Sequence, residues 1–221
     1  MKDNNLITER DGYKLYLIPE DHPNNPRTMF NQFGKMVCWH GRYNLGDKQP
    51  KARPNEWLHR LVADKIGTEE DPDGLSDELV KEMLNEHFVM LPLFLHDHSG
   101  LTMRTSSFND PWDSSQVGWI YVSIDDIKKE FGEVVVDDAT LKKARQILDT
   151  EVCEYNQYLT GDVWGYEIND SNGDPVDSCG GFYGRVYAEQ KAQTAFALAI
   201  AVRNDAWQEE ENRVQQLINR M

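Results

Sequence analysis

Apolar and polar positions change period several times along the chain, and each change predicts an element. Tyr13-Lys14-Leu15-Tyr16-Leu17-Ile18 alternates with the two-residue period of a half-buried strand and is stopped by Pro19. DHPNNPRT then reads as a loop from its Pro and Asn content, and residues 35–39 as a short second strand. Residues 40–54 are polar and rich in breakers, which predicts an irregular surface loop. Pro54 near the start and Gly67 just past the end frame a helix whose apolar face is Trp57, Leu58, Leu61 and Val62. Ser76 is placed to cap a second helix carrying Leu79, Val80, Met83 and Leu84.

The middle of the chain is strand-like. Residues 89–95 are nearly all apolar, Asp97-His98-Ser99-Gly100 reads as a turn, and residues 101–105 return with strand alternation. Residues 117–122 are apolar on both faces, as a covered central strand is. These three runs are expected to form the middle of one sheet, with polar groups gathered at its loop ends. Ser123-Ile124-Asp125-Asp126 resembles a capping box opening a short helix to Gly132. Asp137 caps the most regular predicted helix, in which Leu141, Ala144, Leu148, Val152, Tyr155 and Leu159 recur at three- and four-residue steps. Residues 163–168 and 175–179, joined by Asp170-Ser171-Asn172-Gly173, read as a hairpin. From Val186 onward the pattern is helical, with a small-residue face of Ala188, Ala192, Ala195, Phe196, Ala199 and Ile200. Past the polar Asn204-Asp205, Val214, Leu217, Ile218 and Met221 continue an apolar stripe, so two helices or one kinked helix are expected. The predicted class is α+β: a mainly antiparallel sheet with packed helices over 1–184, and a helical segment, 185–221, packed on the same domain.

Charge sharpens this picture. The 221 residues carry a formal net charge of −15, with acid clustered at Glu69-Glu70-Asp71-Pro72-Asp73. The loop over 40–54 is the most basic local stretch, with Arg42, Lys48, Lys51 and Arg53, yet nothing amounts to a patch for a phosphate backbone, so direct nucleic-acid binding is not expected. The acidic run has two readings: a solubilising surface, or one that competes with nucleic acid for a basic groove on a protein. No run approaches the length of a membrane span, and MKDNNLITERDG lacks the apolar core of a signal peptide, so a cytoplasmic protein is expected. Cys38, Cys153 and Cys179 cannot all pair within one chain, and reduced thiols are the expectation.

Candidate chemistry is sparse. On a strand, His96 and His98 would place both rings on one face, a workable pair of zinc ligands that Asp113 or His40 would complete. Set against this, Asp97 to Gly100 reads as a turn whose polar side chains satisfy backbone groups. Cys38 with His40, or Cys179 near His98, is a conceivable thiolate–imidazole pair, but a buried small thiol is the commoner fate of such residues, and Cys153 is expected to be buried or half-buried beside its helix's apolar face. The polar turns lack the acidic spacing of a calcium loop, and no phosphate-cradling or dinucleotide fingerprint occurs. No cofactor is expected beyond the zinc alternative.

Five blocks, MVCWHGRYNLGD (36–47), LPLFLHDHSGLTM (91–103), PWDSSQVGWIYVS (111–123), YNQYLTGDVWGYEI (155–168) and DSCGGFYG (177–184), taken together resemble a family of uncharacterised proteins encoded by bacteriophages and other bacterial mobile elements. The resemblance implies a phage or prophage origin and a cytoplasmic setting. Two functional readings stand. The first is an acidic phage-encoded binding protein that attaches to and modulates a host protein, such as a defence or nucleic-acid-handling enzyme. Its surface would be His40, Arg42, Tyr43, Asp97, His98, Trp112 and Asp113 at the sheet's loop ends, with Glu69, Glu70, Asp71 and Asp73. The second is a small enzyme or ligand-binding domain built on His40, Arg42, His98 and Asp113. Self-association is left open.

Overall fold

The computed structural model describes residues 5–67, 74–108 and 114–218, with the backbone alone for Asp205, Leu217 and Ile218. It is an α+β chain with two antiparallel sheets rather than one. By contact, the chain separates into Met1–Asn24 with Gly161–Met221, and Asn25–Thr160 between them. The expected division at 184/185 is not where the contacts divide it. The last helix belongs with the terminal strands, because its apolar face seats on them.

The first unit holds β1 (Leu6–Arg10), β2 (Tyr13–Pro19), β7 (Val163–Asn169), β8 (Pro175–Tyr183) and α6 (Arg185–Ile218). The sheet order is β1-β2-β7-β8, every pair antiparallel. Alternation in β2 places Tyr13, Leu15 and Leu17 on the face that α6 covers with Ala188, Ala192, Phe196 and Ile200; all seven are buried. Alanines at four-residue steps let the helix approach closely, and Phe196 fills the gap beyond them. Of the two forms expected, two helices or one kinked helix, the chain takes a single helix: α6 is continuous through Asn204-Asp205. Strand β8 runs on past Cys179 to Tyr183 because Gly181 adopts φ 79°, and its N–H donates to the Glu20 carboxylate lying over Gly180.

The second unit holds α1 (Pro26–Met29), β3 (Lys35–Cys38), α2 (Pro54–Ile66), α3 (Asp77–His87), β4 (Phe88–Asp97), β5 (Leu101–Arg104), β6 (Ser114–Ser123), α4 (Ile124–Phe131) and α5 (Asp138–Thr160). Its sheet order is β3-β6-β4-β5: β4 pairs with both of the other runs read as central from sequence, but only β4 and β6 lie in the middle, and β5 is an edge strand. Met36, Leu93, Ile120 and Val122 point to one face, where Ala144, Leu148, Val152 and Tyr155 of α5 complete the core. On the opposite face α2 is seated by rings: Trp57 stacks on Trp119 at 6.2 Å and meets Trp39 and Tyr121 edge-on at 5.5 and 5.4 Å. These tryptophans are half-buried.

The caps read from sequence are in place. Ser76 Oγ accepts from Leu79 N at 3.2 Å, Ser123 Oγ from Asp126 N at 3.0 Å and Asp137 Oδ1 from Thr140 N at 2.8 Å. Gly67 and Gly132 end α2 and α4 in the left-handed conformation. Among the described residues, no helix is long and apolar enough to cross a membrane.

Candidate functional site: a loop pinned to the end of strand β4

Strand β4 ends at Asp97, and the chain turns through His98, Ser99 (φ 56°) and Gly100 before β5 begins. Here the sequence-selected residues meet. Arg42 forms an ion pair with Asp97 and lies over the Tyr43 ring at 5.4 Å, while His40 stacks on the same tyrosine at 5.0 Å with the planes 16° apart. His40 Nδ1 accepts from the Arg42 and Tyr43 N–H groups at 3.3 and 3.2 Å, which puts the proton of a neutral His40 on Nε2. Arg42 is nevertheless 70% exposed. A pair this solvated is worth ~1 kcal/mol or less, so it shapes the loop more than it stabilises the fold.

The base of the loop is fixed differently. Cys38 N donates to Lys48 O at 3.2 Å and Asp47 N to Met36 O at 2.9 Å, folding the loop back onto β3. Asp47 then accepts two bonds from Arg27, both 2.6 Å, and one from Met36 N at 2.7 Å. The Arg27 side chain is 1% exposed and also donates to Glu151 of α5 at 2.9 Å and to Gly34 O at 2.7 Å. Glu151 in turn accepts from Phe33 N at 2.6 Å and Gly34 N at 3.1 Å, and Gly46 N donates to the Tyr155 hydroxyl at 3.0 Å. A buried arginine held between two carboxylates with its donors used is a rigid peg. Sequence reading missed this network, because its members are 20 and 124 positions apart and no local period links them.

On the other side of Asp97, His96 stacks on Phe108 at 5.3 Å, and the Arg104 guanidinium covers that ring at 3.7 Å. Arg104 also donates to Ser106 O at 3.0 Å and Ser107 O at 2.6 Å, holding the segment after β5 against the sheet. Arg104 and Phe108 were not selected from sequence, and only the arginine-then-aromatic order hints at the stack. The His96 and His98 rings are 6.1 Å apart and tilted by 50°. Asp113 and Trp112 lie outside the described residues, as do Glu69, Glu70, Asp71 and Asp73. Among the described residues, no group of three or more His, Cys, Asp or Glu is placed to share a metal ion.

The cysteines separate by environment. Cys38 is buried, and burial, followed by the nearby Asp47 charge, pushes its thiol up to about 12, so it is no nucleophile at neutral pH. Cys153 and Cys179 are exposed, contrary to the buried or half-buried fate expected of them. Cys153 follows Val152 on α5, and one residue step turns it a hundred degrees away from the core face. Cys179 lies on β8, an edge strand of its sheet. It and His98 belong to different units.

What the described residues assemble is an exposed cation and two stacked rings, held in one conformation by a loop with a buried ionic base. That arrangement suits recognition of a carboxylate-bearing or aromatic surface. No family model, curated protein or solved structure matches the chain.

Proposed function

We propose that the chain is a protein-binding factor of the phage and mobile-element kind it resembles, attaching to a host protein through the His40–Arg42–Tyr43 loop and the adjoining end of β4. The observation that carries this reading is the exposed Arg42, oriented by Asp97 and Tyr43 on a loop anchored by the Arg27 network. Arginine and tyrosine are the residues that most often supply the dominant energy of an interface. Pre-ordering them lowers the entropy lost on docking. The net charge of −15 favours a partner with basic regions around the contact and makes association sensitive to salt.

The test is capture of a host protein by the purified chain, followed by quantitation with that protein. Arg42→Ala with Tyr43→Ala is expected to weaken binding at least tenfold; Arg42→Ala alone should leave the melting curve nearly unchanged because that side chain is exposed, whereas Tyr43 is half-buried against the core of its unit and its loss should lower the melting temperature without unfolding the unit. Equal binding by wild type and double variant overturns the assignment. A wild type that captures no protein, yet binds a small anionic ligand through Arg42, favours the ligand-binding reading instead.

A further inference from the structure

The loop that presents Arg42 is closed by a hydrogen-bond pattern that depends on a proton. His40 uses Nδ1 as the acceptor for two backbone N–H groups, those of Arg42 at 3.3 Å and Tyr43 at 3.2 Å. An asparagine or aspartate oxygen commonly closes a turn of this kind; here an imidazole nitrogen takes that place. The ring has no other way to serve. Turned over about its Cβ–Cγ bond it would set a carbon against both donors, and a ring with a proton on Nδ1 has no lone pair there to accept. The closed loop therefore requires a neutral His40 with its proton on Nε2. Stacking on Tyr43, with centroids 5.0 Å apart and planes 16° apart, keeps the ring turned toward the two donors. Gln49 Nε2 donates to the His40 carbonyl at 2.7 Å, tying the backbone from a second side.

Histidine is the side chain whose charge ordinarily changes between pH 5 and 8. Protonation converts Nδ1 from acceptor to donor, so two attractive contacts become donor facing donor. It also adds a positive charge two residues from Arg42. The charged and titratable groups around the ring are Arg42 and Tyr43 of its own loop and, paired to Arg42, Asp97 from the end of β4, with His98 following it. Among the described residues no carboxylate is bonded to the His40 ring, so no counter-charge offsets the loss of the two bonds. We infer that His40 is a proton switch for this loop: neutral, it holds the Arg42 and Tyr43 backbone in the closed turn, and charged, it releases them. Its consequence rests on the binding surface proposed above, which is ordered at neutral pH and loosened in acid.

The experiment titrates the full chain from pH 8 to 5 by nuclear magnetic resonance with no partner present, following the His40 ring nitrogens and the Arg42 and Tyr43 amides. At pH 8 the ring is expected to carry its proton on Nε2. The two amide signals are expected to move together, with the midpoint of His40 and not with those of His96 or His98. His40→Asn supplies an oxygen in place of Nδ1 that takes up no proton over this range, and is expected to leave both amides insensitive to pH. Amides that stay still, that follow His96 or His98, or that move equally in His40→Asn overturn the switch. With a captured host protein, the ratio of wild-type to His40→Asn affinity is expected to fall about fivefold from pH 7.5 to 5.5, the effect of losing two partly solvated bonds. A constant ratio overturns the link between the switch and binding. Failure to capture any protein counts against the binding surface alone, because the amide titration needs no partner.

Discussion

Arg27 and Cys38 sit on the same strip of structure and show what burial does to two chemistries. The single Arg27 charge faces two carboxylates, Asp47 and Glu151, and its geometry ties together α5, the start of β3 and the loop that presents Arg42. Removing Arg27 from this set leaves two carboxylates without their counter-charge, which is far costlier than losing an exposed pair. Cys38 has no such compensation, so burial keeps it protonated. In the unfolded chain its thiol ionises near 9 and in the folded chain only at about 12. Between those values the unfolded state has released a proton that the native state keeps, so stability falls as pH rises. Tyr155, likewise pushed up to about 12 chiefly by burial, adds to the fall above pH 10. Denaturant midpoints measured across pH 8 to 11 are therefore expected to drop. Cys38→Ala should flatten the profile by up to about 1.4 kcal/mol per pH unit above 9. An aromatic disulfide reagent at pH 8 should label Cys153 and Cys179 promptly and Cys38 only on unfolding. Prompt labelling of Cys38 would contradict its place in the core.

At the scale of elements, the most sensitive position is a glycine. Gly118 in β6 lies directly against the Val37 carbonyl of β3, and a Cβ there would overlap it. Gly118→Ala is expected to separate β3 from β6, and with it the root of the candidate loop. The result should be loss of cooperative unfolding, read by circular dichroism and near-ultraviolet melting; a variant with wild-type melting would refute the close approach. The helices show why much of the architecture could be read in advance. Ser76, Ser123 and Asp137 begin them and Gly67 and Gly132 end two of them, all through bonds local in sequence. β1 escaped notice because Leu6 and Ile7 are adjacent, not alternating, and Leu6 is exposed. The candidate site was legible in its parts, since His40, Arg42, Tyr43 and Asp97 are local polar groups beside apolar runs. Its buried support was not, because Arg27 and Glu151 look like any surface charges until a long-range fold brings them together.

For the molecule as a whole, the telling feature is nesting. The middle unit, Asn25–Thr160, is continuous in sequence, whereas the outer unit needs both ends of the chain: β2 pairs with β7, and Tyr13, Leu15 and Leu17 supply the floor for α6. No local pattern announces this, because a strand's alternation does not name its partner. A fragment spanning 25–160 is expected to fold with its own cooperative transition, while one spanning 161–221 should lack the β1–β2 half of its sheet; a disordered middle fragment would show that the two units are not separable. Nesting also sets a timetable for synthesis. The β1–β2 hairpin emerges first and must wait for residues 25–160 before β7 exists to receive it, a delay on the order of ten seconds at ribosomal speed. If the middle unit folds during that wait, it shortens the effective loop between β2 and β7 and lowers the entropy of closing the outer sheet. Until then the apolar face of β2 is bare on the nascent chain, which makes that hairpin the stretch where a chaperone acting on nascent chains would be most needed and a pause in translation most costly.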